Sequence, residues 1–187
     1  MTVARERSPA WLQPANALTA ARLIAAPACA WAFLVERPVT AAALFAFAVA
    51  SDLADGPLAR RRGEASAFGG LFDHTVDAIF VTTLLAALAL RHVVPALLPV
   101  LVPVAFVQYV LDSRALAGQR LRTSALGRMN GIAYFALAGT PPIRDALGLG
   151  WPDASIVAMF GWLLVATTLA SIADRAYALY ATFRDRA

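Results

Sequence analysis

Residues 51–78, SDLADGPLARRRGEASAFGGLFDHTVDA, carry four aspartates at the junction of two apolar segments. Asp52 and Asp55 are three residues apart and Asp73 and Asp77 are four apart, so each pair lies on one face of a helix. The first pair closes one apolar segment and the second pair opens the next. A helical hairpin would therefore bring all four carboxylates together at one rim of a helical bundle.

Such a cluster of carboxylates requires a compensating cation, because like charges at short range repel one another. The chain contains no lysine, and the nearby Arg60–Arg62 lies on one side of the pattern. Hard divalent cations with oxygen ligands relieve this repulsion, and Mg²⁺ commonly binds through carboxylates together with substrate phosphates. Gly56, Gly69 and Gly70 remove side-chain bulk where a ligand or a partner helix would approach. The cluster predicts a metal site rather than a solvated loop paired with arginines.

The composition is that of a membrane protein. Hydrophobic residues make up 60% of the 187 residues, and charged residues make up 15%, against roughly 25% in an ordinary soluble domain. The mean hydropathy is +0.64, the net charge is +4 and the isoelectric point is near 10.0. In a soluble protein this basic balance would suggest nucleic acid, but the membrane explains it better, so no nucleic-acid partner is expected. The single cysteine, Cys29, excludes an intramolecular disulfide.

Six apolar stretches each approach the roughly 20 residues needed to cross the hydrocarbon layer. They predict an all-α integral membrane protein with six transmembrane helices, at about 18–35, 39–58, 69–90, 94–111, 129–142 and 155–173. The pair Pro141-Pro142 is expected to end the fifth helix. Three prolines, Pro95, Pro99 and Pro103, are expected to delay or kink the fourth.

The beginning of the chain is expected to be retained as a helix. Residues 1–17 are predicted to form an N-terminal cytoplasmic or interfacial lead-in, and residues 18–187 a six-helix membrane domain. The stretch Ala26–Cys29 resembles a lipoprotein cleavage box, but Arg22 interrupts the apolar run before it. The apolar run also continues past Cys29 to Val35, which a cleaved signal would not require.

The arginines predict the orientation. With the N-terminus in the cytoplasm, twelve arginines fall on the cytoplasmic side, Arg22 lies within the first helix, and three lie on the opposite side, namely Arg37, Arg91 and Arg144. This positive-inside bias predicts that both termini and the aspartates face the cytoplasm. We expect an integral protein of a bacterial inner membrane, with its active site facing the cytoplasm.

The aspartate pattern, D-x2-D-G-x2-A-R-x8-G-x3-D-x3-D, resembles the signature of the CDP-alcohol phosphatidyltransferase family at every defined position. Asn16, Leu18, Thr19 and Arg22 also resemble the N-x-L-T-x2-R opening common in that family. With the six-helix plan, the resemblance covers essentially the whole chain. It implies an enzyme of phospholipid biosynthesis that transfers a phosphatidyl group from CDP-diacylglycerol, or a phosphocholine-like group from a CDP-alcohol, and releases CMP.

The resemblance also implies roles for individual residues. Two divalent cations, Mg²⁺ or Mn²⁺, would be held by Asp52, Asp55, Asp73 and Asp77. Asp77 would in addition, or instead, be the catalytic base that takes the proton from the acceptor hydroxyl. The residues that would contact the cytidine diphosphate are Gly56, Ala59, Arg60 and Gly69. The implied partners are CDP-diacylglycerol, an acceptor alcohol, the lipid bilayer and a second copy of the chain in a homodimer.

A second polar cluster, Ser113, Arg114 and Arg128, is predicted on the same side of the membrane as the aspartates and is a candidate acceptor site. Guanidinium groups match phosphate oxygens, although positive-inside topology and lipid headgroup contacts would explain the arginines equally well. Many phosphatidylglycerophosphate synthases carry G-K-x-K-T-x2-Q here, of which this chain keeps Gly127 and one basic residue. Glycerol 3-phosphate is favoured by its frequency in the family alone; inositol phosphate, phosphatidylglycerol, serine or another alcohol stays open.

An ion-coupled transporter would explain acids in a bundle, but it would not require Ala59 or Arg60 at these spacings, and transporter acids lie near the midplane.

His74 follows Asp73, and adjacent helical residues are about 100° apart. His74 is therefore expected to pack or hydrogen bond between helices rather than to point into the site.

Overall fold

A computed structural model describes residues 14–62, 67–112 and 125–184. All regular structure in these ranges is α-helical, which confirms the predicted all-α class. The helices are α1 (Pro14–Leu34), α2 (Pro38–Arg62), α3 (Ala67–Leu90), α4 (Leu98–Asp112), α5 (Ala125–Ala146) and α6 (Ala154–Arg184).

The observed ends of the helices differ from the predicted ends mainly where prolines occur. Pro141 and Pro142 lie inside α5 and are buried there, so the predicted end of the fifth helix at this pair was wrong. The fourth helix begins at Leu98 rather than at residue 94, which confirms the late start expected from its prolines. Pro99 then falls in the first turn, where its missing N–H leaves no hydrogen bond unmade. Pro14 begins α1, so the last residues of the predicted lead-in are helical, and its residues 1–13 lie outside the described part. The division into lead-in and membrane domain stays a prediction.

Within the described residues, two helical segments are long and apolar enough to cross a membrane, Gly69–Leu90 and Ala154–Ala178. Shorter apolar helices accompany them, at Leu18–Leu34, Pro38–Ala54 and Leu98–Leu111. Large apolar side chains also face outward, such as Ile24, which is 74% exposed, and Trp31, which is 65% exposed. Extended apolar surface of this kind marks a membrane or protein contact. Six complete spans and the cytoplasmic termini stay predictions.

The core of the bundle is built around α3, which packs against α1, α4 and α5. Its largest buried side chains are Phe80, Leu84, Leu85 and Leu88. The face of α1 that meets α2 and α3 is made of small residues, Ala25, Ala26, Cys29 and Ala32. Small side chains allow helix backbones to approach closely. This close packing brings α1 beside the aspartate-bearing parts of α2 and α3.

Gly139 of α5 lies close against Phe45 of α2, because a methyl group at this position would overlap the ring of Phe45. The ring is itself confined by Phe80, with 6.1 Å between the two centroids. We expect Gly139→Ala to lower the free energy of unfolding by about 1–3 kcal/mol, as overpacking does in other cores. Thermal unfolding of the protein in detergent measures this change. Gly131→Ala on the same helix is the control: nothing lies within 4 Å of the added carbon, so it should be neutral or stabilising. Equal effects of the two changes would contradict the close packing.

Candidate active site

Three of the four predicted metal-binding aspartates converge on one arginine. The guanidinium of Arg22 donates through Nη1 to Asp52 Oδ1 at 3.0 Å and also to Asp77 Oδ1, while Nη2 donates to Asp73 Oδ1. Asp52 comes from α2, the other two aspartates from α3, and Arg22 from α1. The structure therefore brings together the two halves of the predicted hairpin. The side chain of Asp55 lies outside the described part of the chain.

Arg22 is the residue of this cluster to which the sequence assigned no role. Its side chain is 1% exposed, whereas those of the three aspartates are between 17% and 37% exposed. The arginine therefore closes the cluster from the protein interior, and the carboxylates remain accessible from the other side. Thr19, one helical turn earlier, lies with its Oγ1 3.5 Å from Nη2 of Arg22. The N-x-L-T-x2-R opening was the available signal, since both residues belong to it.

The carboxylates offer the donor set that a divalent cation requires. Ligand atoms of Asp73, His74 and Asp77 all lie within 4.8 Å of one another. Carboxylate oxygens suit Mg²⁺ and Mn²⁺, and imidazole nitrogen suits later divalent metals such as Zn²⁺. The residues present therefore fit a divalent metal. His74 was expected to turn away from the site into helix packing, and this was wrong, because its side chain is exposed and lies beside the carboxylates.

A cavity of about 350 Å³ opens next to the carboxylates, between α3, α4, α5 and α6. Its polar lining consists mainly of Asp52, His74, Asp77, Arg128, Asn130 and Arg175. Its apolar walls include Val81, Val102, Phe106, Ile132 and Phe135. A cavity that combines a charged region with apolar walls suits a ligand that has both a charged and an apolar part.

Two arginines from different helices share this cavity with the carboxylates. Arg128 on α5 was a predicted acceptor residue, and the cavity lining brings it together with Asp77. Arg175 on α6 was not among the predicted site residues; its guanidinium carbon lies 5.4 Å from the centroid of the Tyr109 ring. Stacking on an aromatic face holds a guanidinium in a defined orientation. The sequence signal for Arg175 was its position just after the last apolar stretch, on the predicted side of the aspartates.

Hydrogen bonds of polar side chains join α6 to α5 and to α4 near the cavity. Thr168 Oγ1 donates to the carbonyl oxygen of Leu164 at 2.5 Å, so it accepts from the hydroxyl of Tyr134 across 2.5 Å. The amide of Gln108 donates to the carbonyl oxygen of Ile172 at 3.0 Å and joins α4 to α6. The buried pair of Tyr134 and Thr168 is satisfied and joins α5 to α6, whereas Oε1 of Gln108 is buried without a partner in the described part of the chain. Tyr134, which lines the cavity, is therefore held in one orientation.

The other predicted contacts are only partly described. The segment of Gly56, Ala59 and Arg60 belongs to the last turns of α2, but its side chains lie outside the described part. Gly69 lies in the first turn of α3. Ser113 and Arg114 lie outside the described residues. Their proposed roles stay predictions.

The amino-acid sequence is similar to those of known proteins. A family model described as CDP-alcohol phosphatidyltransferase matches residues 12–173. A cardiolipin synthase (CMP-forming) of Streptomyces coelicolor is 28% identical over 156 residues, which cover 79% of this chain and 71% of that protein. A cardiolipin synthase (CMP-forming) / mitochondrial hydrolase fusion protein of Schizosaccharomyces pombe is 34% identical over 87 residues, 46% of this chain and 15% of that protein. No solved structure was found to match the chain.

Proposed function

The chain belongs to the CDP-alcohol phosphatidyltransferase family, and from this premise we propose that it transfers the phosphatidyl group of CDP-diacylglycerol to an acceptor alcohol and releases CMP. The family assignment replaces the ion-coupled transporter as the interpretation of the acidic cluster. One observation carries the proposal: Asp52 and Asp77 share a single cavity with Arg128 and Arg175. The carboxylates suit metal ions and a proton, and the arginines suit a phosphate.

We propose that the site takes two divalent cations, Mg²⁺ or Mn²⁺. The residues that would hold them are Asp52, Asp55, Asp73 and Asp77, and three of these already converge on Arg22. When bound, such ions neutralise the pyrophosphate of the substrate and stabilise both the attacking and the leaving oxygen. Gly56, Ala59, Arg60 and Gly69 are proposed to lie against the cytidine diphosphate.

In the transfer, the acceptor hydroxyl oxygen forms a bond to the phosphorus that carries diacylglycerol, and the bond from that phosphorus to the oxygen of CMP breaks. The proton of the hydroxyl must leave as the new bond forms. Asp77 lines the cavity and offers a carboxylate to receive that proton. A positioned base of this kind contributes about 10²–10⁴-fold to a rate.

We propose phosphatidylglycerol as the acceptor. Both named relatives are CMP-forming cardiolipin synthases, and a lipid acceptor would explain why apolar side chains such as Val102, Phe106 and Phe135 line most of the cavity beside the charged groups. The phosphodiester of phosphatidylglycerol would bind Arg128 and Arg175, since guanidinium groups pair with phosphate oxygens. Glycerol 3-phosphate, favoured from the sequence, offers the same phosphate without an apolar part and is the alternative to test.

The purified protein in detergent is expected to release CMP from CDP-diacylglycerol when phosphatidylglycerol and Mn²⁺ are both present. Release should fall to background when EDTA removes the metal and should return on addition of excess Mn²⁺. Glycerol 3-phosphate at the same concentration should give a much lower rate. A higher rate with glycerol 3-phosphate would overturn the proposed acceptor and leave the transfer chemistry standing. Lack of CMP release with every acceptor tested would overturn the transfer itself.

The surroundings of the enzyme are proposed on the same basis. The exposed apolar surface and the two long apolar helices support insertion in a membrane. The distribution of arginines supports an active site that faces the cytoplasm, in a bacterial inner membrane. The homodimer implied by the family resemblance stays a prediction, which the mass of the detergent-solubilised protein would test.

A further inference from the structure

Arg22 binds one oxygen atom of each of three carboxylates that are proposed to hold a metal ion. The guanidinium binds Oδ1 of Asp52, Oδ1 of Asp73 and Oδ1 of Asp77, and no more than 1% of its side chain is exposed. The three carboxylates carry a formal charge of −3 and the arginine carries +1, so the group as a whole carries −2. One side chain from α1 thus replaces part of the charge compensation that a metal would supply to α2 and α3.

We propose that Arg22 is the resident cation of the aspartate cluster: it holds the three carboxylates together in the metal-free protein and competes with divalent cations for them. The inference rests on the proposed metal site. A guanidinium cannot lose its proton in the physiological range, so its charge is permanent and must either withdraw from the carboxylates or repel the incoming metal. In both cases the affinity for metal is lower than three carboxylates alone would provide.

A purely structural role for Arg22 makes the opposite prediction. If the arginine only positioned the aspartates, its loss would let them move apart and would weaken metal binding. If the arginine competes, its loss leaves the charge of −3 uncompensated and strengthens metal binding. Even with the full screening of water, a unit charge about 5 Å from a divalent cation changes the affinity by about tenfold. The sign of the change therefore separates the two roles.

The test is Mn²⁺ binding to the full-length protein in detergent, followed by the electron paramagnetic resonance signal of free Mn²⁺, without substrate. Arg22→Gln is expected to bind Mn²⁺ about tenfold more tightly than the unmodified protein. Without metal, its unfolding temperature is expected to fall by about 10 °C, because three carboxylates lose their buried partner. Saturating Mn²⁺ should restore most of that loss.

Arg144→Gln is the matched control, since it removes the same charge from another ion-paired arginine. Arg144 pairs with Asp145 and donates to the carbonyl oxygen of Pro152 at 2.9 Å, at the end of α5 away from the carboxylates. Its loss should leave the Mn²⁺ dissociation constant unchanged. Should Arg22→Gln fail to fold, Arg22→Lys keeps the charge but loses the planar fork that reaches several carboxylates. Competition then predicts tighter Mn²⁺ binding by about two- to threefold, because the ammonium group keeps the charge but contacts fewer carboxylate oxygens.

Each outcome decides the inference. Weaker or unchanged Mn²⁺ binding in the Arg22 variants would overturn the competing role and leave the metal site in place. Absence of Mn²⁺ binding by both the unmodified protein and Arg22→Gln would overturn the metal site, and the role of Arg22 with it. Tighter binding, together with stability that is recovered by metal, would establish Arg22 as the resident cation.

Discussion

Asp77→Asn is expected to lower the rate of CMP release by about 10²–10⁴-fold, because the amide cannot accept the proton of the attacking hydroxyl. Asp77 is the carboxylate to which the family resemblance assigns the base, and it lines the cavity where the acceptor would lie. The exchange of one oxygen for an NH₂ group keeps the shape of the side chain. The maximal rate with saturating CDP-diacylglycerol and phosphatidylglycerol is the quantity to measure.

The dependence on metal distinguishes the two roles proposed for Asp77. If the residue is chiefly a metal ligand, raising the Mn²⁺ concentration should recover much of the lost rate, whereas a lost base is not recovered in this way. Asp145→Asn is the control, because Asp145 is an exposed aspartate paired with Arg144 and does not line the cavity. It should keep the normal rate. A rate for Asp77→Asn within about threefold of normal would exclude it as the base, given the size expected of base catalysis.

Loss of either cavity arginine is expected to raise the KM for the acceptor by about 10- to 100-fold while the KM for CDP-diacylglycerol changes little. The range follows from the roughly 1.5–3 kcal/mol of a hydrogen bond to a charged group. Arg128→Gln and Arg175→Gln remove the two guanidinium groups one at a time. Initial rates over a series of phosphatidylglycerol concentrations measure the effect.

The design separates phosphate binding from general surface charge. Arg184→Gln removes the same charge from α6 without touching the cavity lining, and it should leave both KM values unchanged. Arg175→Lys keeps the charge but loses the flat group that stacks on Tyr109, so it should recover only part of the affinity. An increase in the KM for CDP-diacylglycerol instead would assign the arginines to the nucleotide lipid and overturn their role at the acceptor.

Local features of the sequence predicted the helices and the acidic hairpin. Spacings of three and four residues put Asp52 and Asp55 on one face of a helix, and Asp73 and Asp77 on one face of the next. This depends only on the geometry of a helix.

The predicted ends of helices were less accurate where prolines lay. Pro141 and Pro142 continue α5, because neighbouring helices can bury an interrupted turn and satisfy its freed backbone groups.

What the sequence determined, then, was the class of fold and the acidic half of the site, since both follow from patterns within single helices or one hairpin. In the basic half, the sequence predicted Arg128, whereas Arg22 and Arg175 were brought to the site by tertiary structure. Arg22 lies 30 residues from Asp52 and 55 from Asp77 along the chain, and only the packing of α1 on α2 and α3 brings them into contact. Arg175 reaches the cavity because α6 packs against α4 and α5. Helical periodicity is a local property, whereas the choice of which helices touch depends on how all their faces pack at once.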